Sequence, residues 1–293
     1  MRFKYIDAVP GHRGGGFSVT NENMKALRHL VEMIPSRKRL GGICSGGEVP
    51  ITVLLPAASE EVVVVDQGLS AIGPALVKLF MLEQYGGAGM KVELSKRQPI
   101  DYLDLFKELP RDIGALVLEA TRYFHPGYAP IWQTFDDKVL DEAREKLELL
   151  TVVHGDLSEI HKFAGGPFDA LYTSNAMGWS VIGNYRTMLS TKHLEPALTP
   201  DGFLFGTSPL SSYSGWKPVR TYDLGAAAKN PLPPELLGTD GWSYGLWQRP
   251  EPTPNPVVVG DTTPPVIPPR LTRNYMRRPD GRFARKHVTD PIG

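Results

Sequence analysis

The stretch LGGICSGGE (residues 40–48), followed by EVVVVD (residues 61–66), decides the fold. A short apolar run leads into a turn of small residues, a helical segment follows as far as Pro56, and four consecutive valines come next. A β-branched run without polar alternation is typical of a strand buried on both faces, as in a parallel sheet. The order strand, glycine turn, helix, strand therefore predicts a βαβ unit.

The alternation of strands and helices continues after Asp66. Apolar residues at helical spacing run from Leu69 to Phe80, and residues 101–150 are predicted to be mostly helical. Three more strands are predicted, at 149–154, 168–172 and 203–206. We therefore expect an α/β fold with a doubly wound, mostly parallel sheet.

Proline content divides the chain into regions. Of the 27 prolines, 14 lie after residue 216, which predicts an extended C-terminal arm over residues 217–293. Residues 36–216 are predicted to be the α/β domain. Residues 1–35 are predicted to be a helical segment, with a helix from Asn21 to Met33 that is capped by Thr20 or Asn21. The arm is expected to pack over the domain or over a partner subunit in a homo-oligomer.

Composition excludes several classes of protein. The 293 residues include 32 basic and 32 acidic side chains and one cysteine. Zero net charge gives no overall attraction to nucleic acid or an anionic membrane. One cysteine and seven scattered histidines form neither a disulfide nor a metal-ligand pattern, so no metal is expected. No apolar run is long enough to span a membrane and the N-terminus lacks a signal peptide, so a cytoplasmic protein is expected.

Candidate ligand-binding residues follow the predicted strands, because open α/β sheets bind ligands at the carboxyl ends of their strands. Gly46 and Gly47 let a ligand approach the backbone closely. Asp66 lies 20 residues after Gly46, a spacing at which an acid can accept both hydroxyls of a ribose, and Asp156 can accept from the exocyclic amine of adenine. Each position has an alternative: a plain turn for the glycines and for Ser174-Asn175, or a helix cap for either aspartate.

The turn distinguishes two adenosine-containing ligands. A nicotinamide dinucleotide needs G-x-G-x-x-G, so that a helix N-terminus meets the pyrophosphate. Residues 42–48, GICSGGE, do not fit that pattern. Glu48 at the beginning of the helix would repel a pyrophosphate and would suit a ligand with an ammonium group. This favours S-adenosyl-L-methionine over NAD.

The order ICSGGEVPITVLL, VVVVDQG, GDLSEI, FDALYTSNAMGW and LTPDGFLFGTSP resembles the class I S-adenosylmethionine-dependent transferases over roughly residues 36–210. No acid precedes the turn, and Glu48 stands where a glycine is usual in the methyltransferases. The Ser-Gly-Gly turn and the segment from Asp66 to Leu79 are more similar to the branch with the betaine-lipid 3-amino-3-carboxypropyl transferases. The resemblance implies transfer of the 3-amino-3-carboxypropyl group to a hydroxyl of a small molecule, or else transfer of a methyl group.

The resemblance also implies a role for each matching position. Ser45, Gly46, Gly47 and Glu48 would contact the methionine part of the co-substrate. Asp66 would hold the ribose and Gln67 would lie beside the adenine, whose edge and face would meet Asp156 and Leu157. Ser174 and Asn175 would lie by the sulfonium and face the acceptor.

Candidates for the catalytic groups are His125 and His154 as proton acceptors, with Tyr128 and Asn175 as positioning groups. His125 and Tyr128 belong to YFHPGY (residues 123–128), a loop that would form a lid or acceptor wall, or a packed surface loop. Cys44 is expected to be a small packing residue. Two other function classes remain: a nicotinamide oxidoreductase, and a non-catalytic scaffold whose proline-rich arm recruits other domains.

Overall fold

The structure is a computed structural model that describes residues 1–9, 23–96, 135–174, 191–207, 215–222 and 244–250, with two residue pairs at 276–277 and 283–284. The chain forms two compact units, Met1–Pro252 and Thr253–Gly293. In the second unit the pairs form a short antiparallel hairpin. The first unit contains the main sheet.

Among the described residues, eight strands form that sheet, in the order β1-β4-β3-β2-β5-β6-β8-β7. Neighbouring strands from β1 to β6 are parallel, whereas β8 is antiparallel to both β6 and β7. The predicted α/β class, with a mostly parallel sheet, is confirmed. The strands are β1 (Lys4–Asp7), β2 (Arg39–Ile43), β3 (Glu61–Asp66), β4 (Leu150–His154), β5 (Phe168–Tyr172), β6 (Leu198–Thr207), β7 (Lys217–Tyr222) and β8 (Tyr244–Gln248).

The valine run of β3 is buried on both faces of the sheet, as predicted. Val62 and Val64 belong to one apolar cluster, whereas Val63 and Val65 belong to a second cluster. All four are at most 1% exposed. Two layers of core therefore cover the two faces, as a doubly wound fold requires.

The helices lie between these strands in the chain. The segment after β2 is helical as predicted but irregular: a 3₁₀ turn at Ser45–Gly47, a π-helical turn at Pro50–Leu54 and then α2. No helix in the described ranges combines the length and the apolar character needed to cross a membrane. Within the described residues the helices are α1 (Met24–Glu32), α2 (Leu55–Ala57), α3 (Leu69–Lys96, interrupted at Gly86), α4 (Asp137–Glu145) and α5 (Thr191–Leu194), with 3₁₀ turns at Leu147–Leu149, Leu157–Phe163 and Glu195–Ala197.

The N-terminal region differs from the prediction in two details. The cap of α1 is Asn23, whose side chain accepts a hydrogen bond from the Ala26 N–H at 3.1 Å, and not Thr20 or Asn21. Residues 4–7 form β1, which pairs with β4 at one end of the sheet. The first 35 residues thus supply a strand as well as a helix.

The sheet also extends past the predicted boundary at residue 216. Strands β7 and β8 both lie beyond it and close the sheet with an antiparallel pair. The hydroxyl of Tyr244 in β8 accepts a hydrogen bond from the N–H of Asn23 at 2.6 Å. Part of the proline-rich region is therefore built into the α/β unit.

The order of strands creates a switch point beside β2. The chain runs from β2 to β3 on one side, whereas β5 pairs with β2 on the other side. Connections that diverge from one strand leave a crevice at its carboxyl end, which is where open α/β sheets bind ligands.

Candidate functional site

The Ser45–Gly47 turn at the carboxyl end of β2 has a strained backbone. Its three residues have φ angles of 45°, 72° and 105°. Glycine adopts such angles readily, but a serine does so at a cost of the order of 1 kcal/mol or more. A Cβ on Gly47 would lie 2.9 Å from the Cα of Ala75 in α3. The turn therefore packs directly on α3, and strain of this kind is typical of ligand sites.

The end of β5 carries a second strained serine. Ser174 has a φ angle of 50° and is 9% exposed. A Cβ on Gly206 in β6 would lie 2.9 Å from the Ser174 nitrogen, so β6 approaches this backbone closely. Ser45 Oγ lies 3.4 Å from the hydroxyl of Tyr172, the last residue of β5. Both non-glycine residues with positive φ in the described ranges thus flank the switch point.

Glu48, predicted to contact a ligand ammonium, has a partner inside the protein. Its carboxylate forms an ion pair with Lys78 of α3, and the two side chains are 0% and 1% exposed. The Lys78 ammonium also donates to the carbonyl oxygen of Gly46 at 2.8 Å. In the structure the cation beside Glu48 is therefore the Lys78 ammonium, whereas the sequence analysis expected the ammonium group of a ligand.

Asp66 lies at the carboxyl end of β3, next to β2. The residue is only partly buried as a whole, yet desolvation by burial raises the pKa of its carboxyl from 3.8 to about 6. Hydrogen bonds from the N–H groups of Gly68, Ser45 and Gln67, and the charge of His154, oppose this rise. The bond from Gly68 measures 2.9 Å. A carboxylate held in an unfavourable environment at a strand end is a candidate ligand contact.

Asp156 and Gln67, which were both expected to lie near the adenine, contact each other in the structure. Asp156 Oδ2 accepts a hydrogen bond from Gln67 Nε2 at 2.7 Å. Asp156 Oδ1 accepts from the N–H and the hydroxyl of Ser158, both at 2.8 Å. The capping alternative is thus realised, although a carboxylate has further lone pairs for a ligand. Leu157 is 8% exposed and belongs to the apolar core.

His154, a candidate proton acceptor, is 1% exposed at the end of β4. Its Nδ1 lies 2.9 Å from Asp7 Oδ1, and its Nε2 lies 3.2 Å from the carbonyl oxygen of Gln67. Both neighbours accept hydrogen bonds, so a proton on either ring nitrogen has a protein acceptor. This geometry favours a structural role that connects β1 with the loop after β3.

Two further predictions concern reactive groups. Burial, followed by the charges of Asp66 and Glu48, raises the pKa of the Cys44 thiol well above its usual range, which suits a packing residue. Within the described ranges, no three histidine, cysteine, aspartate or glutamate side chains form a metal-binding group. His125, Tyr128 and Asn175 lie outside the described residues, so their roles stay predictions.

The pairings of Lys78 with Glu48 and of Asp7 with His154 were not predicted from the sequence. A signal for Lys78 was available, because it is the only charged residue between Leu69 and Leu82 and so had to be buried with a partner. Asp7 gave no comparable signal, since β1 is only four residues long.

An open groove of about 230 Å³ lies at the opposite edge of the sheet, among mutually paired charges such as Arg39 and Glu60.

No protein-family model matches this chain, and no curated protein matches it. Solved structures to which this chain is similar include three methyltransferases. An RNA methyltransferase from Salinibacter ruber, in complex with S-adenosyl-L-homocysteine, is 12% identical, with a TM-score of 0.38 over 82% of this chain and 97% of that one. Methyltransferases from Geobacter sulfurreducens and Thiobacillus denitrificans, with the same ligand, are each 13% identical, with TM-scores of 0.37 and 0.36. They cover 82% and 81% of this chain, and 93% and 94% of their own chains are covered.

Proposed function

We propose that this protein is a transferase that uses S-adenosyl-L-methionine as co-substrate, and that it moves the methyl group to a small-molecule acceptor. The observation that carries the proposal is the strained Ser45–Gly47 turn at the switch point, with Asp66 one strand away. The fold maintains a costly backbone and a desolvated carboxyl side by side at its ligand-binding edge. Both features are typical of ligand-binding and catalytic sites.

The described residues fit the parts of that co-substrate. Asp66 would accept from the ribose hydroxyls in addition to the backbone N–H groups that already donate to it. The Gln67–Asp156 pair would meet the adenine. The turn would hold the amino-acid arm through its main chain, since Glu48 is paired with Lys78.

The sulfonium supplies an activated carbon and a neutral leaving group. The protein then has to align the acceptor and exclude water. Ser174, at the end of β5 opposite the turn, belongs to the wall that would face the acceptor. Asn175, His125 and Tyr128 are proposed to complete that wall and to take up the proton of a hydroxyl acceptor.

We prefer methyl transfer over the alternative reaction because the turn is fixed against α3 at Gly47. A turn fixed in this way would hold the amino-acid arm still, and methyl transfer is the reaction that leaves this arm on the co-substrate. Transfer of the 3-amino-3-carboxypropyl group is the second candidate. It is favoured by the resemblance of the Ser45-Gly46-Gly47 turn to that branch of transferases.

Titration calorimetry with S-adenosyl-L-methionine, S-adenosyl-L-homocysteine and NADH tests the proposal. We expect the first two to bind, and Asp66→Ala to weaken both. Binding of NADH alone would contradict the proposal and would support an oxidoreductase. Product analysis with a panel of hydroxyl acceptors separates the two reactions: S-adenosyl-L-homocysteine indicates methyl transfer, and methylthioadenosine indicates transfer of the amino-acid arm.

A further inference from the structure

The Ser45–Gly47 turn is held by one buried cation. Lys78 Nζ donates to the carbonyl oxygen of Gly46 at 2.8 Å and forms an ion pair with Glu48, so it contacts residues inside and after the turn. Lys78 lies three residues after Ala75, the residue that Gly47 packs against, and hence on the same side of α3. The ammonium and the glycine contact thus fix the turn to a single helix.

Other hydrogen bonds hold the parts of this segment that Lys78 does not reach. The Cys44 N–H donates to Val65 O at 3.0 Å, and the Gly47 N–H donates to Cys44 O at 2.9 Å. The carbonyl of Glu48 accepts from the hydroxyl of Thr52 at 2.8 Å. The carbonyl of Gly46, at the centre of the turn, is bound by the Lys78 ammonium. The N–H of the same peptide is held by Cys44 O, so the Lys78 ammonium supplies the second bond and fixes the Gly46 carbonyl toward α3.

We propose that Lys78 is a positioning residue for the co-substrate: it holds the Gly46 peptide in the conformation that the amino-acid arm of S-adenosyl-L-methionine requires. Glu48 is the counterion of Lys78 and does not bind the ligand ammonium. This inference rests on the proposed function for its ligand. Whether Lys78 holds the turn can be tested without a ligand.

Lys78→Met, the single variant Glu48→Gln and their combination separate positioning from charge balance, with one further variant as control. Lys78→Met removes the cation and leaves Glu48 buried without its counterion, so the variant loses stability. Adding Glu48→Gln removes the second charge and is expected to restore most of the melting temperature. The matched control is Lys146→Met, because Lys146 donates to the carbonyls of Pro56 and Ala58, at 2.7 and 2.8 Å, before the amino end of β3.

Two readouts are measured on each variant besides the melting temperature. The first is amide hydrogen exchange of a peptide spanning residues 44–49, without ligand, compared with the β3 peptide. The second is the dissociation constant for S-adenosyl-L-methionine. For Lys78→Met/Glu48→Gln we expect a restored melting temperature, at least tenfold faster exchange in the turn only, and about 10- to 100-fold weaker binding. Lys146→Met should leave turn exchange and affinity as in the wild type.

Restored affinity and restored turn protection in the double variant would overturn the inference, because Lys78 would then serve only to neutralise Glu48. Loss of affinity that a Glu48→Gln single variant reproduces in full, with Lys78 intact, would also overturn it by making Glu48 the ligand contact. If the wild type binds no S-adenosyl-L-methionine, the proposed function fails. The exchange experiment then still decides whether Lys78 holds the turn.

Discussion

Replacing Asp66 by asparagine should stabilise this protein at high pH while it weakens the binding of the co-substrate. Burial raises the pKa of the Asp66 carboxyl from 3.8 to about 6. The folded state therefore holds this proton more tightly than the unfolded state does. Stability is fully retained below about pH 4 and falls as the pH rises through about 6, because the unfolded chain ionises first.

The size of the effect follows from the shift. A rise of about two units in the pKa of Asp66 corresponds to about 3 kcal/mol, at about 1.4 kcal/mol per unit. The residue is only partly buried, so solvent screens part of this penalty and we expect about 2 kcal/mol. At pH 8 the aspartate lowers the free energy of unfolding by that amount, and asparagine does not.

Urea unfolding of the wild type and of Asp66→Asn at pH 4 and pH 8 measures the effect. Asparagine keeps an oxygen for the Gly68 N–H, and any defect of its amide group appears at both pH values. The decisive quantity is thus the difference between the two stability changes. We expect this difference to favour the variant by about 2 kcal/mol at pH 8, equivalent to about 5 °C in melting temperature.

Asp136→Asn is the matched control. Asp136 caps α4 through the N–H of Lys138 at 3.0 Å, in an exposed position. Asparagine caps a helix as well as aspartate does, so this variant should show little pH-dependent change. An Asp66→Asn stability change that is the same at pH 4 and pH 8 would refute the reasoning, since the carboxylate would then carry no burial penalty.

Three further predictions follow from the same geometry. The dissociation constant for S-adenosyl-L-methionine should rise about tenfold per pH unit below about pH 6 in calorimetry, because the ribose binds the ionised form of Asp66; a flat profile from pH 5 to pH 8 would contradict this. Gly42→Ala should lower the free energy of unfolding by more than about 2 kcal/mol in urea, since its Cβ would lie 2.3 Å from the carbonyl oxygen of Tyr172; near-native stability would show that β2 and β5 separate easily. Asp7→Asn should lower the free energy of unfolding by about 1 kcal/mol in the same assay, because it weakens the hydrogen bond to His154. An unchanged urea midpoint would show that this hydrogen bond does not stabilise the protein.

The sheet was predictable where the sequence signal was local. The valines of β3 indicate a strand that is buried on both faces, and the small residues after β2 indicate the turn. Strands β7 and β8 were missed because proline enrichment suggested an irregular arm. Pro218 lies in β7, the last strand of the described sheet, next to a register shift between Pro218 and Arg220. Proline is tolerated in such a position, since an edge strand leaves N–H groups unpaired.

The location of the candidate residues in the fold was predictable, but their pairings were not. Strand ends located Ser45, Asp66 and Ser174, because the carboxyl edge of a parallel sheet is set by the order of the elements. The partner of Glu48 was not predictable in the same way, since Lys78 is 30 residues away and meets it only when α3 packs on the turn. A charge in an apolar helix shows that a partner exists, but its identity depends on tertiary packing.

The two edges of the sheet differ in how they hold their charges. At the amino edge, Arg39 pairs with Glu60 and Glu61 on side chains that are 22% to 39% exposed, which is ordinary surface pairing of small energetic value. At the carboxyl edge, the Glu48–Lys78 pair is almost completely buried, and Asp66 has a raised pKa. The strained serines lie at this edge as well. A fold gains nothing in stability from such groups, since apolar residues and glycines would cost less. Their concentration around the end of β2 is therefore the physical basis on which we propose a functional site there.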